Sequence, residues 1–169
     1  MTKDVFVASR STQTLGHVGG NLIIDEEATV KGEGAPSRVS VTGTVQCNGD
    51  CTLDCSVSAE NVVGKGDVNV NGDLEVRGYV SIETWRFREG SLNVSGNMKA
   101  KRVEVDARLS VGKDLETGHA NVGGSIVVKG KTKAQTIDVG GSFTGTGEVE
   151  AETIDVGGLV TIESRANIE

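Results

Sequence analysis

Three cysteines, Cys47, Cys51 and Cys55, stand four residues apart, a spacing that could gather three thiolates around a zinc ion. The two histidines, His17 and His119, each follow a glycine and are the candidates for a general base. Asp138 and Asp155 recur seventeen residues apart and could share a cation or simply be solvated, and solvation is the expected state. Gly64-Lys-Gly66 has the glycines of a phosphate loop but not the Gly-x4-Gly-Lys-Ser/Thr spacing or a following helix, so it is expected to be a turn. Trp85-Arg-Phe-Arg88 is the one place where large aromatics and bases cluster. It is either a partner or membrane patch or, as expected here, a bulged segment with Trp85 and Phe87 inside and Arg86 and Arg88 outside. No catalytic, cofactor or metal site follows from these residues, and no enzyme activity is expected.

The elements that would position them come from an internal repeat. Ile137-Asp-Val-Gly-Gly141 returns as Ile154-Asp-Val-Gly-Gly158, a step of 17 residues. Asn121-Val-Gly-Gly124 and Val103-Glu-Val105 lie one and two steps earlier. Within each step the apolar residues form pairs separated by one residue, such as Val103/Val105, Leu109/Val111 and Ile126/Val128. A smaller third pair follows, as in Thr132/Ala134 or Val149/Ala151. Alternation within a pair is the period of a strand. Pairs recurring after six, six and five residues match no helix. They predict an all-β, three-sided parallel β-helix of about nine coils and ~17 residues per coil, roughly 40 Å long at the ordinary strand spacing.

Earlier pairs extend the winding: Leu22/Ile24, Ala28/Val30, Val39/Val41, Val45/Cys47, Cys51/Leu53, Val57/Ala59, Val63/Lys65, Val68/Val70, Leu74/Val76 and Val80/Ile82. Residues 32–38, with the single proline, interrupt it. Residues 1–15 are expected to be a tail, a partial cap or a strand of the first coil, and 16–169 one domain. Cys47 and Cys51 fall on inward positions, where free cysteine acts as a small hydrophobe. The odd cysteine count suits a reducing compartment better than a disulfide framework. Small residues at Ala107, Gly124, Gly141, Gly158, Gly96, Gly130 and Gly147 mark the corners, where glycine could supply a positive φ.

Outward residues support the same register. Lys99, Glu116, Lys133 and Glu150 form one alternating column, and Asp114, Lys131, Glu148 and Arg165 another. The net charge of −7 argues against nucleic acid and anionic membrane as non-specific partners. No apolar run suits a signal peptide or a membrane span.

A solenoid buries its flanks but not its ends, where strand edges and core are exposed. The pattern runs through Val160/Ile162 and Ala166/Ile168 with no amphipathic helix after it. Val160, Ile162 and Ile168 at one end and Val5, Phe6 and Val7 at the other are therefore the candidates for pairing with further copies. Asn69-Val-Asn-Gly-Asp-Leu-Glu-Val-Arg-Gly78 and Val122-Gly-Gly-Ser-Ile-Val-Val-Lys-Gly130 resemble the repeat of the bactofilins, polymer-forming cytoskeletal proteins of bacteria with archaeal relatives. The resemblance covers roughly residues 16–169. It implies a right-handed β-helix that self-assembles into non-polar, nucleotide-independent filaments without a cofactor. It also implies a cytoplasmic cell-shape scaffold, in some members at the inner face of the membrane. Unlike typical members, this chain has almost no flexible tails and carries more coils. A β-solenoid binding or adhesin module and the acyltransferase reading of His119 are the alternatives.

Overall fold

The computed structural model describes residues 2–84, 86–87 and 89–168. Their regular structure is all strand, and every pairing between named strands is parallel. A nine-stranded sheet forms the second face, from Thr12–Leu15 to Val160–Ile162. A fourteen-stranded sheet supplies the first and third faces. Its four eight-residue strands, Met98–Val105, Leu115–Val122, Thr132–Val139 and Val149–Val156, each bend to cover both. The result is a three-sided parallel β-solenoid.

The 17-residue step is visible in the pairing itself: Val103 lies over Ala120, Ala120 over Ile137 and Ile137 over Ile154. Inward positions carry the core, with Leu22, Leu53, Leu74, Leu92, Leu109 and Ile126 essentially fully buried. Stacking identical positions puts aliphatic groups on one another along the whole rod. Each fully buried Val, Leu or Ile contributes about 1.5–3 kcal/mol, which is how a chain with so few aromatics sustains a fold.

Of the alternatives for residues 1–15, Val5-Phe-Val7 forms a strand of the first coil, one step before Leu22-Ile-Ile24 and paired with it. Two coils are longer than the rest. Leu22 pairs with Val45, and the extra residues form the expected interruption at 32–38, closed by reciprocal hydrogen bonds between Glu33 and Arg38 (3.1 and 3.0 Å). The second insertion corrects the reading of Phe87 as an inward residue. Val68 pairs with Leu92, a step of 24 residues rather than 17. Phe87 stands fully in solvent, with Arg86 and Phe87 both at positive φ. Trp85 and Arg88 lie outside the described residues.

The inward pair expected at Val63/Lys65 is instead Val62/Gly64, aligned with Val45/Cys47 on one side and Val80/Ile82 on the other. A Cβ on Gly64 would stand 2.7 Å from Val68 and 2.9 Å from Ile82, so the core has no room for one. The corner glycines also have a different cause from the one expected. Among them none takes a positive φ; Gly34 and Gly66 do. At the corners a Cβ would collide with the carbonyl of the coil before: Gly124 with Ala107, Gly141 with Gly124, Gly158 with Gly141. Close stacking of coils, not backbone chirality, selects glycine there.

Candidate functional site

The corners are tied by a ladder that sequence reasoning missed. The N–H of Asp73 donates to Ser56 Oγ (3.1 Å), that of Asn97 to Asp73 Oδ1 (2.7 Å), that of Asp114 to Asn97 Oδ1 (3.2 Å), and that of Lys131 to Asp114 Oδ1 (2.7 Å). Each side chain satisfies a backbone donor of the next coil, worth about 0.5–1.5 kcal/mol. The signal was present as Ser, Asp or Asn just before a strand, one coil after another. The charge columns stack as expected. Lys99 meets Glu116 (3.4 Å), and Lys131 meets both Glu148 and Glu150 (3.3 Å each). Those two carboxylates raise the Lys131 pKa, Glu150 first. All these groups are well exposed, so solvent screens each pair and its contribution is small.

The potentially reactive residues are kept apart. His17 and His119 are exposed on different strands, and His119 stacks between Arg102 and Thr136. Asp138 lies over Asp155 in the open. Among the described residues no group of three His, Cys, Asp or Glu is placed to hold a metal. All three cysteines are buried in the core as expected, but Cys47 and Cys51 are joined by a disulfide across one corner of their coil, with Cα atoms 6.2 Å apart. Two inward positions flanking a corner converge on the same interior space, which spacing along the chain did not reveal. Burial, and then Asp54, push the Cys55 thiol up to about 11, so it is protonated and unreactive at neutral pH. Titration of the unfolded, unreduced chain is expected to find one thiol, Cys55; three would show the bond to be open. Closing so short a loop stabilises by on the order of 2 kcal/mol, so reduction should lower the melting temperature correspondingly.

The candidate end residues divide. Val160, Ile162 and Ile168 gather at the C-terminal coil together with Ile154, Val156 and Leu159. Leu159, Val160 and Ile168 are 68%, 45% and 54% exposed, although Phe143 and Ala151, the partners of Val160 and Ile168 in the coil before, are buried. Val160–Ile162 pairs with 143–145 on one side alone, and Ala166–Ile168 with 149–151 on one side alone. At the opposite end Val7 is already buried, Val5 is half-buried and Phe6 points outward. There the polar Gln13 stands over Val30. The first coil is thus the more polar end. Arg86 and Phe87 belong to neither end, but lie between the strands Tyr79–Glu83 and Ser91–Val94.

These features define a parallel β-solenoid with one apolar end coil and no assembled catalytic constellation among the described residues. No family model, curated protein or solved structure matches the chain.

Proposed function

We propose that this protein is a structural element that assembles with copies of itself end to end, through the coil formed by residues 154–168, into nucleotide-independent filaments that serve as a cytoplasmic scaffold. The observation that carries the reading is the row of exposed apolar side chains, Leu159, Val160 and Ile168, lying beside strand edges with free backbone groups. Two such coils meeting would cover six partly exposed side chains, worth on the order of 10 kcal/mol. Association itself costs about 4–15 kcal/mol, so backbone pairing across the junction decides the affinity. The polar first coil is the weaker surface. The apolar ends therefore meet first, by a two-fold, giving dimers that join through Val5 and the strand edges of the first coil as concentration rises. Bactofilin-like, non-polar polymers follow from alternating the two contacts.

Negative-stain microscopy and sedimentation without nucleotide test this. Wild type should give thin filaments. Val160→Asp or Ile168→Glu should give folded monomers by circular dichroism. Filaments unchanged in both variants, or a wild type that stays monomeric at every concentration, would sink the proposal.

A second reading, an exported solenoid used as a binding module, is favoured by one observation: the Cys47–Cys51 bond, which belongs with an oxidising compartment. The thiol count on protein taken from its own cells separates the two readings.

A further inference from the structure

Along the outside of the rod, where the third face bends into the first, lies a trough of about 770 Å³. Its floor is the backbone at Ala100, Thr117, Ala134 and Ala151, stacked coil on coil, whose small side chains are buried in the core. Long charged side chains flank it, and their signs are not evenly spread. At one end Arg77, Lys99 and Lys101 stand against Glu75; at the other are Glu150 and Glu152; Glu116 and Lys133 offset each other between. Lys99 is engaged by Glu116 and Glu150 by Lys131. Arg77, Lys101 and Glu152 form no ion pair among the described residues. Gly118 sits between the two ends and leaves the wall open there.

A ligand for this trough has no net charge but carries anionic and cationic groups at opposite ends. Lys101 and Glu152 are three coils apart, ~14 Å at the strand spacing, and an extended chain covers that in about four residues. Nucleic acids and anionic glycans are negative throughout and would be repelled by Glu150 and Glu152. Neutral glycans favour aromatic platforms, and none lines the trough. A second copy presents the same concave strip, which cannot fill this one. We propose that the trough binds an extended peptide segment of a partner protein, with acidic residues over Arg77 and Lys101, small residues over the backbone floor, and basic residues over Glu152. The site touches the C-terminal coil at Asn167, but its charged groups stand on earlier coils.

The test uses the full chain and three fluorescein-labelled hexapeptides in anisotropy titrations at low salt: Asp-Asp-Ala-Val-Lys-Lys, Asp-Asp-Ala-Val-Asp-Asp and Lys-Lys-Ala-Val-Lys-Lys. The mixed peptide should bind at least about tenfold tighter than either uniform one, and Lys101→Glu should remove that preference. The double variant Lys101→Glu/Glu152→Lys should restore it, because a short peptide can lie in the reversed direction. Equal binding of all three peptides, binding of none, or failure of the double variant to recover would overturn the proposal. So would a change in sedimentation caused by Lys101→Glu, which would assign the strip to contact between copies.

Discussion

Replacing Phe143 by Ala is expected to remove about 3–5 kcal/mol of stability, the range for a fully buried phenyl group. At ~2–4 °C per kcal/mol for a chain of this size, the melting temperature should fall by about 6–20 °C. Phe143 is completely buried and heads the largest buried side chains. It continues a column in which the neighbouring coils carry Leu109, Ile126 and Val160. The ring fits because its partner position is Gly145, paired between Val128 and Ile162. A Cβ on Gly145 would lie 3.3 Å from the ring and 2.8 Å from Val149. The two residues therefore conserve volume together, and their effects should not add. Gly145→Val alone overpacks the site, Phe143→Ile alone empties it, and Phe143→Ile/Gly145→Val recreates the Ile126/Val128 pair of the coil below. Chemical denaturation of the four proteins should show the double variant more stable than either single one. Purely additive losses would mean that the ring and the glycine do not share space. Because each coil touches only its neighbours, the loss should also be local. Hydrogen exchange in Phe143→Ala should rise first from residue 143 toward the C-terminal coil and leave the middle of the rod protected.

The pairing of Phe143 with Gly145 also shows what was legible beforehand. The 17-residue step, the three sides and the sign-alternating columns were open to view because they depend on residue type at fixed spacing: Ile137 over Ile154, Lys99 over Glu116. Inward glycines were not, since a residue without a side chain carries no hydropathy signal. Gly64 was passed over in favour of Val63 for that reason. The exposure of Phe87 was hidden by coincidence: it falls one full step after Val70, yet the partner of Val70 is Val94. Counting residues cannot tell an aromatic ring that enters the core from one that stands in solvent. The trough was invisible for another reason. Its charges belong to separate coils, and only stacking brings Arg77, Lys101 and Glu152 into one line.

Gly141→Val tests the claim that coil stacking, rather than backbone conformation, places glycine at the corners. Gly141 donates its N–H to the Gly124 carbonyl at 2.9 Å, and a Cβ built on it would run into that same oxygen. The oxygen cannot withdraw, because it also accepts from the Ser142 N–H at 3.1 Å. A side chain there must prise two coils apart, and the expected cost is about 3 kcal/mol, at the upper end of what overpacking usually takes. Gly141→Ala should cost somewhat less and Gly124→Ala a similar amount, since Gly124 faces the Ala107 carbonyl in the same way. The control lies in the first coil at a different corner, where Val18-Gly-Gly20 repeats the tripeptide of Val122-Gly-Gly124 in sequence but Val18 stacks on Val41. Around Gly19 nothing stands within 4 Å of the Cβ position, and its φ is not in the left-handed region. Gly19→Ala should therefore be neutral or stabilise by up to ~1 kcal/mol through the unfolded chain. If instead Gly19→Ala and Gly141→Ala were equally damaging, the glycines would be answering a conformational demand of the corner, and the contact between successive carbonyls would not be what sets the rise of the rod.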